Sequence, residues 1–313
     1  MLHRFVIMVS RRIKILTIFV YDTIMHLIQF QLKMKVFKIP SGGFTVTKTT
    51  NLRFTVQIKK EAEGHAICID EDKNVDPFGG LKMRCVVISG TQFAQWKTAK
   101  KHNLAFNKEV TMKGGSSGSL LYAVDGNINT QSNTLTSQGT PWLKVNLQQT
   151  YIITDITIHA GKDKQGQLDT RWTGLIVKIL DASGNQMWQQ AGLVTSLTMA
   201  EHLKITNIVD SSGNPIEGSQ VRVELTSATA AIFRVAEIEV FGKPLIGQDI
   251  VLDVPVGDLF LSSASPTTDI NYIAVVQDND SVPLYGESTL SNIELYERAP
   301  PVSLVRCSNS STC

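Results

Sequence analysis

The chain has 313 residues, more than one β-sandwich needs, which favours two or three folding units. Thirty lysines and arginines stand against 28 aspartates and glutamates, so there is no global field that would attract nucleic acid, and no nucleic-acid partner is expected. Glycine, serine, threonine, valine and isoleucine are frequent between Met34 and Glu297. This composition predicts a mainly β protein.

The first 33 residues, 1–33, differ from the rest. Basic residues precede an apolar run from Ile13 to Leu32, which Lys14 and Asp22 interrupt. A membrane span needs about 20 apolar residues, and a central aspartate costs roughly 2.5–3.5 kcal/mol. We predict a short N-terminal helix with three possible roles: a marginal membrane anchor, a helix on a membrane or partner surface, or an extension upstream of a true start at Met34.

Residues 34–112 and 244–300 are predicted to be β-rich, because both alternate apolar and polar residues as half-buried strands do. Between them, the stretch 113–119 has the glycine and serine content of a linker and marks the entrance to a middle domain, 113–243. A tail rich in serine with two cysteines, 301–313, follows. The flanks could form one β unit into which the middle domain is inserted, or two small separate units.

The four cysteines lie outside the middle domain and show no CxxC spacing, so a zinc site is not expected. Cys68 and Cys85 stand in apolar, strand-like runs, where we expect buried free thiols. A disulfide between them would need an oxidising compartment. Cys307 and Cys313 could pair with each other or stay free.

Three segments of the middle domain occur in an informative order. Ala123–Asn127 contains a turn-forming Asp-Gly-Asn, Thr140–Leu147 is an aromatic-anchored strand, and Ala236–Gly242 is a closing strand with alternating acids. In this order they resemble the discoidin family, which includes the coagulation factor V/VIII C-terminal domains and the fucolectins. The resemblance covers about residues 115–243. It implies a galactose-binding-like jelly-roll β-sandwich that binds sugars or surfaces and rarely does chemistry.

The Asp-Gly-Asn turn can gather oxygen atoms, which a hard cation such as calcium needs. In the fucolectins this turn and the acid that opens the closing strand share one calcium ion. Carried onto this sequence, the resemblance implies calcium (Ca2+) ligands at both segments: Asp125, Asn127, a hydroxyl near Thr136 or Ser137, Ala236 through its carbonyl, and Glu237. The alternative is a plain turn beside a surface glutamate.

The resemblance also implies a ligand loop between residues 159 and 174. Arg171 matches the second arginine of the fucolectin sugar-binding motif, but Gly161 stands where the first would be. No histidine occurs in the loop before Pro141, so two of three family contacts are missing and fucose specificity is not implied. Other polar side chains that could contact sugar hydroxyls are His159, Lys162 and Asp163.

Two loop residues have alternative, structural interpretations. Arg171 could support the loop from beneath instead of contacting a sugar. Trp172 is flanked by polar residues and is a candidate for stacking on a sugar ring, although packing in the core is the favoured alternative.

No catalytic arrangement is found, because the six histidines are scattered and no Gly-x-Ser-x-Gly elbow with a histidine partner occurs. We expect a non-catalytic, lectin-like protein, outside the cell or on a cell or virion surface, that binds a glycan or glycoprotein and gains avidity as an oligomer. Two other classes stay open. One is a structural or assembly protein of a virion or surface layer, and the other binds membrane surfaces through Leu168 and Trp172.

Overall fold

The computed structural model of the protein describes residues 13–15, 18–20, 32–39, 43–71, 84–90, 99–113, 116–134, 140–163, 166, 172, 174–193, 202–226, 233–257, 267–278 and 286–297. Strands dominate these residues, joined by turns and a short 3-10 helix at Leu120–Ala123. The prediction of a mainly β protein is confirmed. Over the same ranges no helix is long and apolar enough to cross a membrane.

The strands are numbered in chain order. They are β1 (Ile13–Ile15), β2 (Ile18–Val20), β3 (Leu32–Lys38), β4 (Phe44–Val46), β5 (Thr50–Lys60), β6 (Gly64–Asp70), β7 (Arg84–Gly90), β8 (Ala99–Lys101), β9 (Glu109–Lys113), β10 (Ser116–Ser117), β11 (Ser132–Thr134), β12 (Trp142–Ala160), β13 (Leu175–Leu180), β14 (Gln186–Gln190), β15 (His202–Ile205), β16 (Ile216–Leu225), β17 (Arg234–Pro244), β18 (Asp249–Pro255), β19 (Thr268–Ile270), β20 (Tyr272–Asp278) and β21 (Glu287–Glu297).

The middle of the chain is organised around β12, which is 19 residues long. Its first half pairs with β9 and β16, and its second half pairs with β15 and β17. The register with β16 shifts between Asn146 and Tyr151, where Gln148 has a positive φ of 69°. This irregularity lets one strand contribute to both layers of the β-sandwich, the fold that the sequence predicts.

Alternating side chains of β12 fill the space between the layers. Leu143, Val145 and Leu147 are 0 % exposed, and Val223 and Val221 stand directly across from the first two on β16. Burying a side chain of this size contributes about 1.5–3 kcal/mol, so this row is a main source of the stability of the sandwich.

The two flanks share their sheets. β5 pairs with β18 and β21, and β20 pairs with β3 and β6, so strands from before and after the sandwich alternate in space. The sequence left two arrangements open. The observed pairing corresponds to the one in which the flanks form a single β unit and the sandwich is inserted into it. β9 already belongs to the sandwich although it begins at Glu109, ahead of the predicted entrance at 113.

The predicted N-terminal helix is corrected where residues 1–33 are described. β1 and β2 are extended and pair with β21, at Ile13↔Leu295 and Ile18↔Leu290 among others. Isoleucine and valine favour strands, and β21 offers them an unpaired edge. Leu32 and Lys33 begin β3, and the other residues of 1–33 lie outside the described ranges. Membrane contact through this segment stays a prediction.

The expectation of free thiols at Cys68 and Cys85 was wrong, because the two form a disulfide. They occupy directly opposed positions on β6 and β7, with their Cα atoms 4.0 Å apart. Both are 0 % exposed, so the bond is buried within the sheets formed by the flanking strands, which we call the outer sheets. The sequence places each cysteine on a strand but does not show that the strands are neighbours. Cys307 and Cys313 lie outside the described residues.

Candidate functional site

The Asp-Gly-Asn segment forms a tight turn directly after the 3-10 helix. The Asp125 carboxylate accepts hydrogen bonds from the Asn127 N–H at 2.9 Å and from the Thr130 hydroxyl at 2.9 Å. Gly126 has a φ of +79°, and a Cβ there would lie 3.0 Å from the ring of Phe106. Glycine is therefore needed at this position for both its conformation and its small size.

Glu237 of β17, the last strand of the sandwich, contacts this turn. Its Oε2 accepts a hydrogen bond from the Gly126 N–H at 3.1 Å, across 111 residues of chain. Its Oε1 is buried and has no hydrogen-bond partner among the described residues. Burial, together with the negative charge of Asp125, raises the pKa of Glu237 to about 9. A carboxylate in this setting is unfavourable unless a cation or a proton neutralises it.

The donors at this turn fit a hard, oxygen-binding cation. Asp125 and Glu237 supply carboxylates, one of them with an unused oxygen, and calcium also accepts backbone carbonyls such as that of Ala236. No cluster of three or more His, Cys, Asp or Glu side chains is found in the described part of the chain, so carbonyls would have to complete the set. The Asn127 side-chain oxygen already accepts from the Asn129 N–H at 3.1 Å, and Ser137 lies outside the described residues.

The segment 161–163 is tied to the same turn region by Gln131. Gln131 Oε1 accepts from the Lys162 N–H at 2.6 Å, and Gln131 Nε2 donates to the Lys162 carbonyl at 2.9 Å. Lys162 is exposed and Asp163 is half-buried. Two of the predicted ligand-contacting residues therefore lie beside the turn. Arg171 and Leu168 lie outside the described residues.

Gly161 has a structural reason to lack a side chain. A Cβ there would lie 2.7 Å from Cβ of Arg234 and 2.8 Å from Oε1 of Gln131, both far closer than normal contacts. An arginine at this position would displace β17 or break the Gln131 bridge. The packing around Gly161 therefore explains why this sequence lacks the first arginine of the fucolectin pattern.

Trp172 does not lie on the surface. It is 0 % exposed and packs edge-on against Phe233, with ring centroids 5.7 Å apart. Neither ring face can receive a sugar in this arrangement, so the structural interpretation of Trp172 is the one that the geometry supports. The polar residues next to it in the sequence made Trp172 a candidate for stacking, but the polarity of neighbouring residues does not report where a side chain points.

His159 lies on the outer face of β12, directly opposite Glu237 in the pairing with β17. Its Nε2 is 2.9 Å from Oε2 of Glu239, and its side chain is 19 % exposed. Sequence analysis did not identify Glu239 or Gln131 as site residues. Glu239 could have been noticed in the acid alternation of β17, since it shares a strand face with Glu237. Gln131 has no local signal, because its role depends on a segment 31 residues away.

The comparisons with known proteins agree with this geometry. Residues 122–223 match the family model F5_F8_type_C_2, described as a NedA-like, galactose-binding domain. The middle of the chain therefore carries a galactose-binding-like domain of the factor V/VIII type C (discoidin) family, as the sequence resemblance implied. A comparison with curated proteins finds no match.

Solved structures with a similar fold align with less than half of the chain. The lectin domain of lectinolysin, complexed with Lewis B antigen, is 20 % identical, with 46 % of this chain and 98 % of that one covered at a TM-score of 0.38. A Streptococcus pneumoniae fucose binding module, SpX-3, is 24 % identical, with 45 % and 98 % covered at 0.38. Chitosan-binding module 1 from Paenibacillus sp. IK-5 is 22 % identical, with 45 % and 99 % covered at 0.34.

Proposed function

We propose that the protein is a non-catalytic carbohydrate-binding protein whose sandwich binds a glycan at the end where the Asp125 turn and segment 161–163 meet. The observation that carries the proposal is that these segments are held together within the part of the chain that matches a galactose-binding domain. Gln131 is hydrogen-bonded to both the N–H and the carbonyl of Lys162, and Glu237 accepts a hydrogen bond from the turn. An exposed ammonium and a carboxylate at Lys162 and Asp163 suit sugar hydroxyls, which both donate and accept.

Calcium is the cation we propose for the turn. Bound between Asp125 and Glu237, it would offset two neighbouring negative charges and use the Glu237 oxygen that has no partner. It would also link the first turn of the sandwich to its last strand, and so hold the base of the ligand end. The family pattern adds Ala236 and Ser137 to the proposed ligands.

The proposed ligand is a saccharide without the fucose requirement of the fucolectins, because Gly161 has no room for the matching arginine. Arg171, from the sequence resemblance, is the remaining family contact. We further propose a location outside the cell or on a surface. The Cys68–Cys85 disulfide supports this, since such bonds persist in oxidising compartments. Avidity from an oligomer would compensate for weak single sites.

A glycan array probed with the full chain, in calcium and in chelator, tests the proposal. We expect a defined set of bound glycans that is lost or weakened in chelator. Arg171→Ala and Lys162→Ala should reduce this binding, while Lys48→Ala, on an exposed turn of the outer sheets, should leave it unchanged.

A blank array from a protein with a cooperative melting transition would overturn the proposal. The alternative from the sequence, a structural or assembly protein, would then be favoured. Its distinguishing feature is the pair of shared outer sheets, which the family match at 122–223 does not cover.

A further inference from the structure

A cavity of about 510 Å³ lies on the outer face of the sandwich, lined by Lys101, Asn103 and side chains of three adjacent strands. We call it the sheet-face groove. β12 pairs with β15 on one side and with β17 on the other. The cavity volume falls within the range of about 300–1,000 Å³ that is typical of ligand pockets.

The register brings polar side chains of the three strands into rows. Thr157 stands opposite both Lys204 of β15 and Glu239 of β17, and His159 stands opposite His202. The intervening residues of β12, Ile156 and Ile158, are 0 % exposed and face the core. Because side chains alternate along a strand, polar side chains of the three strands form the floor of the groove, and the apolar side chains between them face the core.

The acidic side chains of the groove already have partners. Asp155 accepts from the Lys101 ammonium at 3.0 Å, and Glu239 lies 2.9 Å from His159. The Lys204 ammonium makes no hydrogen bond or ion pair within the described part of the chain. Lys204 is exposed, and its charge helps to lower the pKa of Asp155 without an ion pair between them. Its ammonium can therefore contact an anionic group on a ligand.

The remaining wall suits a sugar ring. Phe241, half-buried, stands opposite Asp155 and provides an apolar surface next to polar groups. Asn103 is held in place because its Oδ1 accepts from the N–H groups of Val240 and Ala105, both at 3.0 Å. Its amide N–H groups remain as donors. An aromatic wall with mixed donors and acceptors is the composition that saccharide sites use.

We propose that the sheet-face groove is a second saccharide site, distinct from the Asp125 end, that binds a sugar carrying a carboxylate, with Lys204 contacting the carboxylate and Phe241 packing against the ring. The groove goes beyond the proposed function in two ways. Lys101 and Asn103 belong to the flank, and Glu239 and Phe241 also lie outside residues 122–223 that match the family model. The site thus extends beyond the segment that matches the family model.

Isothermal titration of the full chain with digalacturonate and with its neutral counterpart galactobiose tests this inference. We expect digalacturonate to bind more tightly, and its affinity to fall as salt is raised. Lys204→Gln should weaken it about tenfold, the effect of losing one charge-assisted hydrogen bond. The matched control is Lys144→Gln, on the other half of β12, which should bind as wild type does.

Three results would overturn the inference. They are no binding of digalacturonate, equal binding of both disaccharides, and equal affinity of the wild type and Lys204→Gln. Arg171→Ala separates the two proposals, because it should leave digalacturonate binding intact. A blank glycan array for the Asp125 end with a positive digalacturonate titration would remove the first site and keep the second.

Discussion

At the scale of single residues, Glu237 is the side chain whose environment says most about the site. It is 1 % exposed, one oxygen binds the turn, and the other has no partner. The pairing of Asp125 with Glu237 came from the family resemblance and not from any local pattern. The structure brings the two segments together, and the buried position of Glu237 is the observation that supports the proposal of a cation there.

Replacing Glu237 with glutamine tests the calcium proposal. In chelator, Glu237→Gln should stabilise the protein by roughly 1–3 kcal/mol at pH 8, because the wild-type carboxyl, with its pKa of about 9, must take up a proton on folding and glutamine need not. The same variant should lose the increase in melting temperature that calcium gives the wild type. Melting curves with calcium and with chelator measure both effects. Glu217→Gln, on an exposed position of β16, is the control and should keep the calcium response.

If calcium does not shift the melting temperature of the wild type, the metal proposal fails. A Glu237→Gln variant that still responds to calcium would show that the ion binds elsewhere.

Two buried histidines give the protein a defined acid sensitivity. Burial lowers the pKa of His65 to about 4, and burial with the nearby charge of Lys108 does the same for His102. Unfolding returns each pKa to about 6.5, so the unfolded state binds protons first as the pH falls. Stability should therefore be unaffected by these groups above pH 6.5 and decrease between pH 6.5 and 4, by up to about 1.4 kcal/mol per pH unit for each histidine.

Urea denaturation at pH 7, 6 and 5 measures this dependence. His65→Gln and His102→Gln should each remove about half of the loss caused by the histidines. Variants whose stability depends on pH between 7 and 5 in the same way as that of the wild type would contradict the expectation.

At the scale of elements, strand identity was predictable and strand pairing was not. The alternation in Leu143–Leu147 and Val221–Leu225 predicts which side chains are buried, and all six apolar positions of the two segments are 0 % exposed. The structure joins Leu143–Leu147 and the apolar run Tyr151–Ile158 in the single strand β12. The change of register depends on a positive φ at Gln148, and the sequence does not indicate this conformation because the residue is not a glycine.

The β6–β7 pair shows the same limit, because the disulfide depends on a register that the sequence does not specify. Replacing both Cys68 and Cys85 with alanine should lower the free energy of unfolding by about 3 kcal/mol, the value for a closed loop of this size. Urea denaturation measures the change, and peptide mapping without reductant should find Cys68 linked to Cys85. Glycan binding by the folded variant should be unchanged, because the disulfide joins β6 to β7 and neither strand pairs with a strand of the sandwich. Recovery of both cysteines as free thiols from the native protein would contradict this expectation.

At the scale of the whole molecule, the sandwich and the outer sheets are fastened together near the points where the chain passes between them. Lys243 of β17 pairs with Glu61 at 2.7 Å, and Gln149 of β12 binds the backbone of Asp249 and Val251 at 3.1 Å. The linker composition at 113–119 indicated a boundary, yet the pairing of β5 with β21 joins residues more than two hundred positions apart. No local pattern encodes such a contact, so the insertion could be proposed from the sequence but not chosen.

The shared sheets lead to an expectation about truncation. A chain ending at Leu245 would lack β18 and β21, leaving β5 without either neighbour and uncovering Phe54, Val56 and Ile58, which are 0 % exposed in the intact protein. We expect this truncation to aggregate, because it exposes strand edges beside apolar side chains.

The segment 102–245 should behave differently from that truncation. It retains β9 and the contact of Asn103 with Val240, so its sandwich keeps every strand that pairs with β12. We expect a soluble protein with one cooperative melting transition, measured by circular dichroism and size-exclusion chromatography. Without Lys101 it should bind digalacturonate more weakly than the full chain. If the chain ending at Leu245 were as soluble and as stable as the full protein, the flanks could not be one interleaved unit.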